Sequence, residues 1–194
     1  GREVYFMVTG QNTVDANADY SRSKYGRAYR LNLDATDPLK GTLELVLDGD
    51  DRNGPAKQFQ NVDNVCATEN YLYVQEDPNS YGDETHDSYI YQLNLRTNEF
   101  KPVIAVDPRR TAADAAKYNV GGPSRFGAWE FGALVDVSDV IGVPNTFTLA
   151  IQPHTWIDLK YLGVDGGKRR GTASTVDLSN QQASQIVVIK GLPR

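Results

Sequence analysis

A chain of 194 residues with 40% apolar and 23% charged side chains is long enough for one packed domain and lies outside the compositional range of disordered chains. Its net charge of −5, with no basic stripe, excludes a partner gripped through a nucleic-acid backbone, and no apolar run approaches the roughly 20 residues of a membrane span. The single cysteine, Cys66, allows no internal disulfide and reads as a buried thiol between Val65 and Ala67.

The chain opens at Gly1-Arg2 with no initiating methionine and no signal-peptide pattern, so it reads as processed or excised from something longer. Glu3 to Val8 is a strand, and the polar, acidic stretch from Gln11 to Tyr25 a long loop. Arg27 to Leu33 and Leu43 to Leu47 follow as strands, the second running into Asp48, Asp50 and Asp51. After Asn53-Gly54-Pro55 breaks the chain, Asn61 to Asp77 reads as a hairpin: Val62, Val65 and Ala67, a turn at Glu69-Asn70, then Tyr71 to Val74. That pairing brings Asp63 and the Glu76-Asp77 pair to the same edge of a sheet. A second acidic loop covers Pro78 to Asp87, then strands Ser88 to Leu95 and Phe100 to Val106 flank a turn at Arg96-Thr97-Asn98. Thr111 caps an expected helix from Ala112 to Tyr118, with Asp114 in an approximate capping box, stopped by Gly121-Gly122-Pro123. Ala133 to Val137 and Thr146 to Ile151 are strands joined by a turn over 138–144, and Gln185 to Lys190 is a last one.

Two passages repeat. Ala28-Tyr29-Arg30-Leu31-Asn32-Leu33 matches Ile90-Tyr91-Gln92-Leu93-Asn94-Leu95, Tyr5-Phe6 pairs with Tyr73-Val74, and Leu45-Val46-Leu47-Asp48 aligns with Ile104-Ala105-Val106-Asp107. Repeats of about 40 to 50 residues built of four antiparallel strands mark propeller blades, although a sandwich can also repeat. The expected fold is therefore all-β: propeller blades amounting to about half of a six-bladed ring, with one short inserted helix. On this reading 1–60 is a part blade, 61–108 a complete blade, 109–128 an insertion, and 129–194 the last blade with a closing strand. A propeller needs at least four blades, so missing upstream blades or another chain must complete the ring.

In such a meander the acidic loops fall on one rim, with Asp15, Asn17 and Asp19, then Asp48, Asp50 and Asp51, then Asp63, then Glu76, Asp77, Asp83, Glu84 and Asp87. Hard oxygen ligands gathered on one rim suit calcium, and a mixed set with His154 suits a transition metal. Asp63 and Glu76 adjoin the innermost strands and are the leading candidates, while His86 reads as a surface loop residue. Arg109-Arg110 and Ser124-Arg125 are available cations for an anionic substrate. No nucleophile elbow, phosphate-cradling glycine loop or zinc spacing is present.

Trp129-Glu130-Phe131-Gly132, the strand to Asp136-Val137-Ser138, and Thr146 to Gln152-Pro153-His154 together resemble the C-terminal part of the PhoX-like family of alkaline phosphatases. Val62-Asp63-Asn64 with Tyr73 to Asp77 is similar to that family's Pro-Asp-Asn strand pair. The resemblance implies a six-bladed propeller, a periplasmic or extracellular location, and calcium with iron held by carboxylates around a central channel. It also implies metal-dependent hydrolysis of a phosphorylated small molecule. Carried over by position, Glu130 and His154 are the implied catalytic residues, and Asp63, Glu76, Asp77 and Glu130 the implied metal ligands. Phe131-Gly132 and Glu76-Asp77-Pro78 depart from the family's pattern, and Cys66 does not match its cysteine ligand. The expected function is the C-terminal portion of such a phosphatase. A non-enzymatic extracellular propeller module, with calcium stabilising its loops for protein binding or assembly, is the alternative.

Overall fold

From Tyr71 to Glu76 both faces of the strand are occupied by residues that the rest of the chain buries, and this strand lies at the centre of the molecule. The computed structural model describes residues 1–11, 19–77, 85–108, 113, 129–153 and 184–194. Its strands are β1 (Glu3–Val8), β2 (Arg27–Leu33), β3 (Gly41–Asp48), β4 (Val62–Ala67), β5 (Tyr71–Glu76), β6 (Tyr89–Asn94), β7 (Phe100–Ala105), β8 (Trp129–Asp136), β9 (Thr146–Pro153) and β10 (Gln185–Lys190). They form three antiparallel sheets in chain order, β1-β2-β3, β4-β5-β6-β7 and β8-β9-β10. The all-β expectation holds. Among the described residues the sheets do not close into a barrel or ring.

The four-stranded sheet is the middle layer. Strand alternation sends Leu72, Val74, Tyr91 and Leu93 to one side, where they meet Ala28, Leu47, Phe59 and Val62 of the first sheet's side of the molecule. Tyr73 and Ile90 point to the other side and pack with Phe131, Leu134, Phe147 and Leu149 of the third sheet. The leading strands come together: β4 touches β1 on one side and β8 on the other.

The repeat noticed in the sequence is reproduced in detail. β3 carries a bulge at Val46, opposite the Ala28–Tyr29 step of β2, and β7 one at Val103, opposite the Ile90–Tyr91 step of β6, at matching positions. Tyr5 lies opposite Arg30 as Tyr73 lies opposite Gln92, and the Gln92 amide donates to the Tyr73 hydroxyl at 2.9 Å. Pairing also corrects the third strand's alignment. Leu43, opposite Leu31, stands where Phe100 stands opposite Leu93, because the turn from β6 to β7 is shorter than the connection from β2 to β3, while the two bulges cancel.

Three further differences from expectation are local. The turn over 138–144 contains one helical turn, α1 (Ser138–Ile141), ended by left-handed Gly142. Trp129 to Phe131 belong to β8, which starts earlier than its apolar run suggested. The expected helix over 112–118 lies outside the described residues apart from helical residue 113. No helix among the described residues is long and apolar enough to cross a membrane.

Candidate functional site

Because the sheets are meanders with their leading strands together, the ends of β1, β3 and β5 and the starts of β2, β4, β6 and β8 share one rim. Asn61 ties that rim together. It is wholly buried in a left-handed conformation at φ 79°, which asparagine tolerates better than most residues. Its side chain accepts from the Gly10 amide at 2.6 Å and donates to the Asp77 carbonyl at 2.7 Å, while its own amide donates to the Tyr25 carbonyl. Gly26, at φ +93°, lies where a Cβ would meet Val62 Cγ2 at 2.7 Å. The close approach of the first sheet to the start of β4 therefore requires glycine there.

Glu76 sits at the end of β5, wholly buried. Oε1 accepts from the Gln60 amide at 2.9 Å and the Tyr91 hydroxyl at 3.1 Å; Oε2 accepts from the Tyr89 amide at 2.8 Å and lies 3.0 Å from His86 Nε2. Burial, then the Glu76 charge, pushes the Tyr91 hydroxyl far above its ordinary range, so it stays a donor. His86 is not a surface residue. It is 7% exposed, stacked on Tyr89 with ring centroids 3.9 Å apart, and in contact with the Gln60 side-chain amide. A buried carboxylate draws donors from wherever the fold brings them, here from both flanking loops.

The other rim acids are spent separately. Buried Arg27 donates through Nε to Asp48 at 2.9 Å and lies 2.7 Å from Asp50 Oδ2, while its Nη1 holds the Tyr20 and Arg22 carbonyls. Asp50 Oδ1 accepts from the Lys24 and Tyr25 amides. Asp63 is different. It is the residue left out of register by a bulge between Val62 and Asn64, it is exposed, and its side chain accepts from Thr9 Oγ1 at 3.1 Å. Next to it, Asn64 reaches toward the Phe131 carbonyl of β8 at 3.5 Å, so Asp63 lies where the three leading strands meet.

Comparison with family models, with curated proteins and with solved structures finds no match. The site must be judged on its own chemistry. Among the described residues no three His, Cys, Asp or Glu side chains gather closely enough to hold a metal ion. Asp63 offers an exposed oxygen to a cation, whereas Glu76 has every oxygen engaged by protein donors. Asp77 is tied through its backbone to Asn61, and Glu130, half-buried on β8, pairs with Gln152 across the strand register. His154, with the acidic loops at 12–18 and 78–84, lies outside the described residues, as do Arg109-Arg110 and Ser124-Arg125. Cys66 is half-buried, and burial pushes its thiol pKa up, the state of an unreactive thiol.

Sequence reasoning missed Asn61, Gln60, Arg27 and Gln75. Gln75 is wholly buried and its Oε1 accepts from the Leu134 amide at 2.9 Å, beside the bulge of β8. Polar residues at strand ends gave the only signal, and nothing local separates a buried hub from a solvated turn.

Proposed function

We propose that the three stacked sheets are consecutive blades of a β-propeller, and that the chain is the C-terminal portion of an exported, calcium-dependent PhoX-like phosphatase with Asp63 facing the axis. The observation that supports this reading is the contact of β4 with both β1 and β8, with Asp63 turned out of β4 there by its bulge. Bulges re-aim side chains next to active sites, and an exposed carboxylate at the convergence of leading strands suits a hard cation. Calcium, with iron beside it, would supply the positive charge that stabilises a phosphate monoester's reacting oxygens. This chain's part is to hold Asp63 on the axis through Thr9, with Glu130 on the neighbouring leading strand.

The engagement of Asp48 and Asp50 by Arg27, and of Glu76 by His86, Tyr91 and backbone amides, favours a second reading, a non-enzymatic extracellular module whose rim acids organise loops. Elemental analysis for calcium and iron, with a phosphate monoester assay with and without chelator, separates the two. Under the first reading Asp63→Asn lowers bound calcium to background without unfolding the protein, and turnover, obtained once the ring is complete, falls with it and in Glu130→Gln. Calcium retained in full by Asp63→Asn would remove the axial assignment. Calcium without iron or turnover would select the second reading.

A further inference from the structure

Beyond β10 the chain turns at Gly191 and crosses from the third sheet back to the second. Gly191 has a φ of +96°, in the left-handed region; its amide donates to the Asn145 carbonyl, and a Cβ there would meet nothing within 4 Å. Leu192 then packs against the apolar cluster that the second and third sheets share. The Tyr73 hydroxyl donates to the Pro193 carbonyl at 2.6 Å, and the Asn70 side-chain amide to the Arg194 carbonyl at 2.7 Å, both donors belonging to the β4-β5 hairpin. The Arg194 guanidinium reaches the other way, to Asp136 at the end of β8 and to Asp139 in α1. These four partners span the seam between the two sheets, at the end opposite the Asp63 rim.

The crossing is held lightly. The Asp139 side chain is 82% exposed, and ion pairs so open to water contribute little. A short segment with few buried contacts belongs to the part of a fold that opens locally at small cost. Beside it lies Cys66. It stands directly across from Tyr73 in the β4-β5 register, packs against the same cluster as Leu192, and has a hydrogen bond from its sulfur to the backbone of Asp136. The thiol therefore neighbours an anchor of the crossing on each sheet.

We propose that residues 191–194 form a strap that swings on Gly191, and that closing it across the seam shields the Cys66 thiol from reagents in solution. Opening releases two carbonyl contacts and the ion pairs of one guanidinium, lifts Leu192, and leaves the seam accessible beside Tyr73 and Cys66. No strand has to move, because Asn70, Tyr73, Asp136 and Asp139 are each fixed by their own sheet or turn. The thiol is thereby sheltered in one state and reactive in the other, and whatever weakens the grip of Arg194 shifts the balance toward the second. The device is separate from the calcium reading, which concerns the opposite rim.

Alkylation of the full chain by iodoacetamide tests it, since the Cys66 thiolate displaces iodide, forms a thioether and adds a mass that can be followed with time. Arg194→Ala should raise the rate by up to about fivefold, the factor equivalent to about 1 kcal/mol. Leu192→Ser, which loosens the strap without changing charge, should raise it too, and so separates opening from a changed field at the sulfur. In the unaltered chain the rate should climb in about 1 M salt, where the Debye length falls to about 3 Å, and it should climb less in Arg194→Ala. Arg30→Ala, which breaks an ion pair with Glu44 in the first sheet, should leave it unchanged. Unaltered rates in Arg194→Ala or Leu192→Ser, with the circular dichroism spectrum intact, would overturn the proposal. So would a rate that rises equally in Arg30→Ala, or with urea below the unfolding transition, because the thiol would then be uncovered by general unfolding.

Discussion

A carboxylate without solvent has to be matched by donors or it destabilises the protein that buries it, and Glu76 is matched at both oxygens. Glu76→Gln keeps the size but turns an N–H toward groups that are themselves donors. It should cost roughly 1–3 kcal/mol for each buried donor it leaves unmatched, more in all than the loss of a single donor. Tyr91→Phe removes one donor and leaves the rest in place, and should cost about 1.5–3 kcal/mol, the range for a hydrogen bond to a charged group. Urea unfolding of the two variants checks the order. If Glu76→Gln unfolds at the unaltered midpoint, the carboxylate does not hold the rim and is free for a ligand. This role was not legible in the sequence. Gln75-Glu76-Asp77 after an apolar run looks like a strand leaving the core, and only the register opposite Val62, together with the return of His86, closes protein around the middle residue of the three.

At the scale of the elements, most strands were legible because alternating apolar residues between turn signals have few other solutions. β1, β2 and β10 match their expected bounds, and even the β2 and β6 repeat was visible. What escaped was whatever depends on a partner: the extra residue at each bulge, the early start of β8, and the short helix α1. Gly26 shows such a dependence. Gly26→Ala would push a methyl against Val62 at a backbone angle that L residues avoid, and should cost roughly 1–3 kcal/mol of strain, read as a lowered Tm. The C-terminal segment makes another. Arg194 binds Asp136 through Nε at 2.5 Å and Asp139 through both Nη atoms, while its carbonyl accepts from Asn70 and that of Pro193 accepts from the Tyr73 hydroxyl. Burial alone would raise the Asp136 pKa, but Ser138 and Arg194 outweigh it, and Arg194 holds Asp139 low as well. Carboxylates held low stabilise the fold above their ordinary pKa, and that contribution is lost as pH falls through the folded value. Arg194→Ala should therefore lower Tm only slightly at neutral pH, since exposed ion pairs contribute little. The difference should shrink as the pH falls through the ordinary carboxylate range, where the unfolded chain protonates first, and vanish below the lowered folded values. A Tm gap that persists unchanged into acid would show that the arginine acts through packing instead.

Across the whole molecule, stability should follow position in the stack. β5 and β6 are buried on both faces, whereas β1 and β10 alternate exposed with half-buried residues along their length. Each outer sheet shares one apolar cluster with the middle sheet, but the middle sheet holds both. Opening either outer sheet uncovers one cluster, and opening the middle sheet uncovers two, so local openings should be cheapest at the ends and the global unfolding free energy should govern the centre. Hydrogen exchange measured on single amides tests this gradient. The ladder amides of β5 and β6 should exchange last, those of β1 and β10 first. Equal protection from β1 through β10 would mean that the sheets unfold as one unit, and the layered account of the core would fail.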